Sequence, residues 1–401
     1  MTAFDHYAEN QLAKVVQDIE PEGAYKTLAK AQRLEREGRS IIHLEIGEPD
    51  FQTPALVKQC GIKAIQADKT RYTPSAGITP LRESIARTAS ERLHQNLSAE
   101  QVVVGPGAKP LLFLPTLAIA QEGDEVIYPD PGFPTYEAMI RVAGATPVPI
   151  ALDRDNGFNL PLEKLKQLIT PRTRMIVINS PSNPTGGVLP QGQLEEIAKL
   201  AIENDCWVLS DEIYGQMVFD QRPHQSILSI ESMKERTILV DGFSKSHAMT
   251  GWRLGYGIMP EYLARKVTLL MVHSIGCTAE FTQLAGLSAL EACQQQTQAM
   301  CDAYQQRRDL VVARINQITG LQCRVPEGAF YAFPRITLEG RTSEQIADAL
   351  LSEMGVALLP GTAFGSNGEG YLRICFANSL SNLNEAMDRM ETWFQRQPCA
   401  V

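Results

Sequence analysis

What this 401-residue chain lacks narrows its function before any motif is read. None of its eight cysteines sits in a CxxC pair or in a His/Cys cluster at zinc-ligand spacing, so no metal site is expected and the thiols read as reduced core residues. No apolar run approaches the length of a membrane span. The opening MTAFDHYAENQLAKVVQDIE has no apolar stretch behind a basic start, so export is not expected and a cytoplasmic location is. Charges of both signs are interspersed, and the net −9 comes without a basic block, which argues against nucleic acid or anionic lipid as a partner. Repeats and low-complexity linkers are also missing.

What is present is enough apolar sequence, 44% of residues, to bury the cores of two domains. Short β-branched runs recur, each ended by Gly, Pro, Ser or Asn and followed by a helix-period segment: QVVV (101–104), DEVIY (124–128), RMIVI (174–178), CWVLS (206–210) and TILV (237–240). Strands apolar throughout suit a sheet covered on both faces, so the expected fold is α/β with a mostly parallel sheet. From about residue 279 a proline-free stretch predicts a long helix leading into a smaller C-terminal domain. The helix-like GAYKTLAKAQRLEREG and the strand IIHLEI (41–46) are expected to join that domain. The resulting division is 48–285 for the large domain, with 1–47 and 286–401 forming a small α+β domain.

In an open parallel sheet, ligands bind beyond the carboxyl ends of the strands. Here RMIVINSPSNPTG places Asn183 past one strand end, CWVLSDEIY places Asp211 and Tyr214 past the next, and TILVDGFSK places Lys245 past a third. Upstream, QVVVGPGAKPLLFL reads as a strand, a glycine turn and a helix N-terminus, a cradle for one small phosphate. It lacks the third glycine of GxGxxG and the GK[ST] ending of a nucleotide loop. An amine, a ring-nitrogen carboxylate and a phosphate cradle are together what pyridoxal 5'-phosphate requires.

In their order along the chain, LEIGEPDFQTP, RYTPSAGITPLRESIA, GPGAKP, YPDPGFPTY, SPSNPTG, SDEIY, SKSHAMTGWRLGY, GAFYAFP and YLRICFA resemble the fold type I, class I/II pyridoxal-phosphate aminotransferases. The resemblance implies that Lys245 is the Schiff-base lysine and general base, that Asp211 pairs with the pyridine nitrogen, and that Asn183 and Tyr214 bond the ring oxygen. It further implies that Arg253 and the backbone of Gly107, Ala108 and Lys109 hold the phosphate, and that Phe133 stacks on the ring. Arg373 would grip the substrate α-carboxylate, with Gly47 and Asn183 lining the same pocket. Many relatives carry a phosphate-binding serine three residues before the lysine. This chain has Gly242 there and Ser244 beside the lysine, so Ser244 is the candidate hydroxyl. Tyr72, in RYTPSAG, matches a tyrosine that reaches the phosphate from a neighbouring subunit, implying a homodimer with shared active sites.

Taken singly, these residues have ordinary readings: Lys245 as a solvated side chain, Asp211 as a helix N-cap, Asn183 as a turn residue, Phe133 as core and Arg373 as a surface ion-pair partner. Their joint order favours the functional reading. His247, beside the lysine, is expected to be structural. The expected activity is amino-group transfer between an L-amino acid and a 2-oxo acid. The alternatives on the same scaffold are a C–S lyase or a cyclopropane-carboxylate synthase, and outside catalysis an effector-binding module.

Overall fold

The five apolar runs form strands, and two more complete a seven-stranded sheet. In the computed structural model, which describes residues 12–17, 19 and 21–397, these are β1 (Val102–Gly105), β2 (Glu125–Asp130), β3 (Thr146–Ala151), β4 (Thr173–Asn179), β5 (Trp207–Asp211), β6 (Thr237–Gly242) and β7 (Gly255–Ile258). The order across the sheet is β1-β7-β6-β5-β4-β2-β3. All run parallel except β7, which is antiparallel to both neighbours. Successive residues enter opposite cores: Met175 and Val177 pack with Leu209 and Val240 on one face, Ile176 and Ile178 with Val208 on the other. Uninterrupted apolar sequence is the consequence of that double coverage.

β3 and β7 escape the sequence pattern for identifiable reasons. β3, TPVPIA, is an edge strand with two prolines and mostly exposed or half-buried positions, a place where missing N–H donors are tolerated. β7, GYGI, spends two of its four positions on glycine, because a Cβ at Gly255 would stand 2.6 Å from Ala108 N. The stretch from residue 279, expected as one helix, is two, Glu280–Ala292 and Gln294–Ile315, broken at Cys293. The first packs on the helices Ala55–Gln66 and Thr79–Leu93 beside the large sheet, and the second joins a separate core. Packing in two directions overrides uniform helix propensity.

That separate core belongs to the smaller domain. Its helices Gln294–Ile315, Ser343–Met354 and Leu380–Gln395 cover an antiparallel sheet in which Leu372–Cys375 lies between Tyr331–Ala332 and Leu359–Pro360. The strand expected over 41–46 is regular only at Ile42–His43, which pairs in parallel with Val356–Ala357. The helix Gly23–Arg36 seats Ala31 against Leu351 and Ala357. Both N-terminal elements therefore pack with the C-terminal part of the chain. Among the described residues the seven cysteines are free, five of them buried; Cys399 and residues 1–11 lie outside the described residues. Among those residues no helix is long and apolar enough to cross a membrane, and no acidic, His or Cys cluster could hold a metal ion.

Candidate active site

Beyond the carboxyl ends of β4, β5 and β6 lies a cleft of about 520 Å³, whose lining includes Asn183, Asp211, Tyr214, Lys245, Arg253 and Arg373. Arg373 comes from the small domain, so the cleft is built between the two domains.

β6 ends at Gly242, and the chain turns directly into the four-residue helix Phe243–Ser246, which sets Lys245 in the cleft. A Cβ on Gly242 would stand 2.9 Å from Gly255 Cα and 3.0 Å from Leu254 O, so a serine there would require the start of β7 to move away. Ser244 instead is buried and lines the cleft. Lys245 Nζ donates to Gly47 O at 2.5 Å. Burial lowers its pKa to about 8, so roughly a tenth of the amine is neutral at pH 7 and half at pH 8.

Asp211 closes β5 with its carboxylate buried. The Tyr136 hydroxyl donates to Oδ2 at 2.7 Å and the Ile213 N–H to Oδ1 at 3.2 Å. Burial outweighs these bonds and raises its pKa to about 6. Asn179, the last residue of β4, donates to Asp211 O at 2.9 Å and accepts from Asn183 N at 2.8 Å, which ties the SPSNPTG loop to the end of β5. Asn183 Oδ1 in turn accepts from Arg373 Nη1 at 3.2 Å.

Arg373 is buried between two rings, its guanidinium carbon 4.5 Å from the Tyr331 centroid and 4.7 Å from that of Phe364. Nη2 donates to the Glu45 carbonyl, while Nε is buried with no partner, a donor aligned with no protein acceptor. The hydroxyls of Tyr214 and Tyr331 meet at 2.7 Å. Burial holds Tyr214 well above the ordinary phenol pKa, so it remains protonated.

Arg253 stands just before β7 at φ 55°, its Nη1 donating to Thr250 O at 3.1 Å. Gly107 has φ 92°, and a Cβ there would lie 2.5 Å from Arg253 Nη2; the turn needs glycine for both conformation and space. Gly107 thus backs Arg253, whereas Ala108 and Lys109, at the start of the helix Lys109–Ile119, line the cleft. Lys109 Nζ pairs with Glu22 and lies 5.3 Å from the Phe133 centroid. Phe133 meets Tyr136 edge-on at 5.8 Å.

Tyr72 is not brought to the cleft of its own chain and is 96% exposed. His247 is buried, with Nδ1 2.7 Å from Ser246 Oγ and its pKa lowered to about 4 by burial, and it does not line the cleft. Three contributors have no place in the sequence argument: Tyr136, Tyr331 and Phe364. Tyr136 ends the quoted YPDPGFPTY and Tyr331 lies inside GAFYAFP, so the signal available was an aromatic with a polar handle inside a matching segment.

The model of the family described as aminotransferase class I and II matches residues 39–390. The chain belongs to this family. It is 41% identical to an aspartate aminotransferase of Pyrococcus abyssi, covering 88% of this chain and 91% of that one. It is 39% identical to aromatic-amino-acid aminotransferase 2 of Thermococcus litoralis, covering 93% and 95%. A solved aspartate aminotransferase from Thermus thermophilus with maleate superposes with a TM-score of 0.91 at 36% identity, covering 95% and 99%. This aminotransferase is accordingly a pyridoxal-phosphate-dependent transaminase. Its cleft fits that cofactor: an amine with a depressed pKa, a buried carboxylate, a protonated phenol, and a guanidinium beside a glycine turn kept clear of side chains.

Proposed function

We propose that this transaminase transfers the amino group of an L-amino acid to a 2-oxo acid in the cleft between its domains, with the following division of labour. Lys245 would hold the cofactor by its aldehyde and would carry the substrate α-proton. Asp211 would keep the pyridine nitrogen protonated, Asn183 and Tyr214 would bond the ring oxygen, and Phe133 would lie against the ring. Arg253, Ser244 and the Gly107–Ala108–Lys109 backbone hold the phosphate. The observation that carries the proposal is the convergence of the Lys245 amine, the Asp211 carboxylate and the Arg373 guanidinium in one cleft of about 520 Å³.

When bound, pyridoxal phosphate supplies an electron sink for the pair left at the substrate α-carbon. Arg373, held flat by two rings and with Nε unpartnered, presents a planar fork to the α-carboxylate and so orients the α C–H toward Lys245. Burial that lowers Lys245 to about 8 raises the fraction of neutral amine able to take that proton. Asp211, itself buried, would stabilise positive charge on the ring nitrogen from a low-dielectric position, where the interaction is strong.

Lys245→Ala should lose turnover by several orders of magnitude and lose the borohydride-reducible cofactor adduct, while its circular dichroism stays that of the parent. A reducible adduct together with normal turnover would falsify the assignment. We further propose a cytoplasmic homodimer in which Tyr72, almost wholly exposed in one chain, reaches the phosphate of the other. Monomers that keep full turnover in dilute sedimentation runs would rule the shared site out. The large and small domains are proposed as 48–285 against 1–47 with 286–401; the helix break at Cys293 supports a change of core close to that seam. Donors spanning acidic, aromatic and aliphatic side chains, followed in single turnover by loss of cofactor absorbance, would define the substrate range.

A further inference from the structure

Tyr331 stands where three parts of the site meet. Its hydroxyl lies 2.7 Å from that of Tyr214, and its ring carries the Arg373 guanidinium at 4.5 Å. The same hydroxyl fills the space that a side chain at position 47 would need, a Cβ on Gly47 falling 1.9 Å from it, and the Gly47 carbonyl accepts from Lys245. The residue is 1% exposed. Packing alone does not call for a hydroxyl here, since the neighbouring core residue Phe330 has none. A buried hydroxyl is tolerated when it is paired, and this one is paired within the site.

We infer that Tyr331 is a positioning residue that couples the substrate-carboxylate arginine, Arg373, to the cofactor-oxygen tyrosine, Tyr214. The inference rests on the roles proposed above for those two residues. A phenol has one proton to give and can accept another. Either hydroxyl can donate across the 2.7 Å contact; with Tyr214 giving its proton to the cofactor ring oxygen, as proposed above, the contact is left to the proton of Tyr331. Arg373 over the ring polarises Tyr331 and strengthens it as a donor, which strengthens Tyr214 in turn. A substrate carboxylate paired with Arg373 offsets that pull, and the change is passed through two hydroxyls to the ring oxygen. Binding of the correct end of the substrate is thereby felt at the cofactor before any proton moves.

The test uses the cofactor-loaded protein without substrate. Its visible absorbance titrates with the proton shared between cofactor and Lys245. The form lacking that proton leaves full negative charge on the ring oxygen, so donors to that oxygen lower the midpoint. Tyr331→Phe keeps the ring and removes the proton; its midpoint should rise by about half a pH unit. Tyr214→Phe should shift it further, and the double variant should match Tyr214→Phe alone. KM for the amino donor should change by less than about twofold in Tyr331→Phe but rise about 5- to 30-fold in Tyr331→Leu, which strips the ring from Arg373. An unshifted Tyr331→Phe beside a shifted Tyr214→Phe overturns the coupling and leaves the Tyr214 assignment standing. An unshifted Tyr214→Phe overturns both, and a double variant showing the sum of the single shifts means that the two hydroxyls act separately.

Discussion

At the end of β5 two consecutive carboxylates face opposite sides of the sheet, and the two sides treat them differently. Asp211 shares its face with Leu209 and looks into the cleft, where Tyr136 and one backbone N–H are its donors and, among the described residues, no cation pairs with it. Glu212, beyond the strand, turns to the other face. There it accepts from His224 Nε2 at 2.8 Å, Ser226 Oγ at 2.5 Å and Ser210 Oγ at 3.1 Å, with Arg92 at 3.9 Å. Arg92 also reaches Asp241 at 3.6 Å, and Tyr256 donates to Asp241 at 3.0 Å. Both carboxylates are almost fully buried, yet their pKa values move in opposite directions. Burial wins at Asp211, raising it to about 6; at Glu212 burial is outweighed by His224 and Arg92, and the group is held below its usual range. Partners, not depth, decide the charge cost. The cleft side leaves its carboxylate without a cationic partner among the described residues, as the proposed pairing with the cofactor's ring nitrogen requires, while the opposite side is already neutralised by the fold.

The comparison can be broken most sharply by crossing substitutions on the two faces. Asp211→Ala should cut turnover about a thousandfold, with the defect in α-proton removal, and should not lower urea stability at pH 7, because it removes a carboxylate that burial strains. Arg92→Met should do the reverse. It leaves Asp241 without its cation and Glu212 with His224 alone and should lower stability by about 3–5 kcal/mol, with kcat of the folded protein changed by less than about tenfold. If Arg92→Met proved as stable as the parent, the neutralised-face account would fail. Equal losses of turnover in the two variants would show that the faces do not divide the work.

A smaller effect sharpens the same contrast through pH. Asp211 binds its proton more tightly folded, about 6, than its ordinary value of 3.8 allows unfolded. Its cost is therefore absent below about pH 4, grows as pH rises through 6 and is constant above. In cofactor-free protein, urea unfolding of Asp211→Asn against the parent should show the variant gaining relative stability by up to about 3 kcal/mol between pH 4 and 7. Glu212, with its folded pKa depressed, contributes with the opposite sign: its stabilisation is present above its ordinary 4.5 and is lost as pH falls through the folded value. A flat difference for Asp211→Asn across that range would mean that the cleft carboxylate is not strained by burial.

The central strands could be read directly because both faces are covered, leaving β4, β5 and β6 as apolar runs that stop at Asn179, Asp211 and Gly242. From those stops the grouping of Asn183, Asp211, Tyr214 and Lys245 in one cleft followed. The pattern failed where burial is one-sided or tertiary contacts dominate. β3 is a half-exposed edge, β7 is narrowed to glycine by the turn beside it, and nothing at Cys293 announces a helix break that only the two packing surfaces explain. Tyr136, Tyr331 and Phe364 were illegible as site residues for a related reason. An aromatic that supports a carboxylate or a guanidinium has the same periodicity as one that fills a core.

The reversed direction of β7 has a consequence for engineering. Because this strand runs against its neighbours, it is its beginning that lies at the rim where the others finish, so Arg253 precedes its strand while Lys245 follows β6. Twelve residues, from Phe243 to Leu254, leave the rim and return to it, carrying both the amine and the guanidinium. Transplanting this cradle into a sheet whose strands all point one way would deliver the lysine and strand the arginine on the far edge. The portable unit is the β6–β7 pair with its connecting loop, and a donor scaffold must offer a gap for an inverted strand.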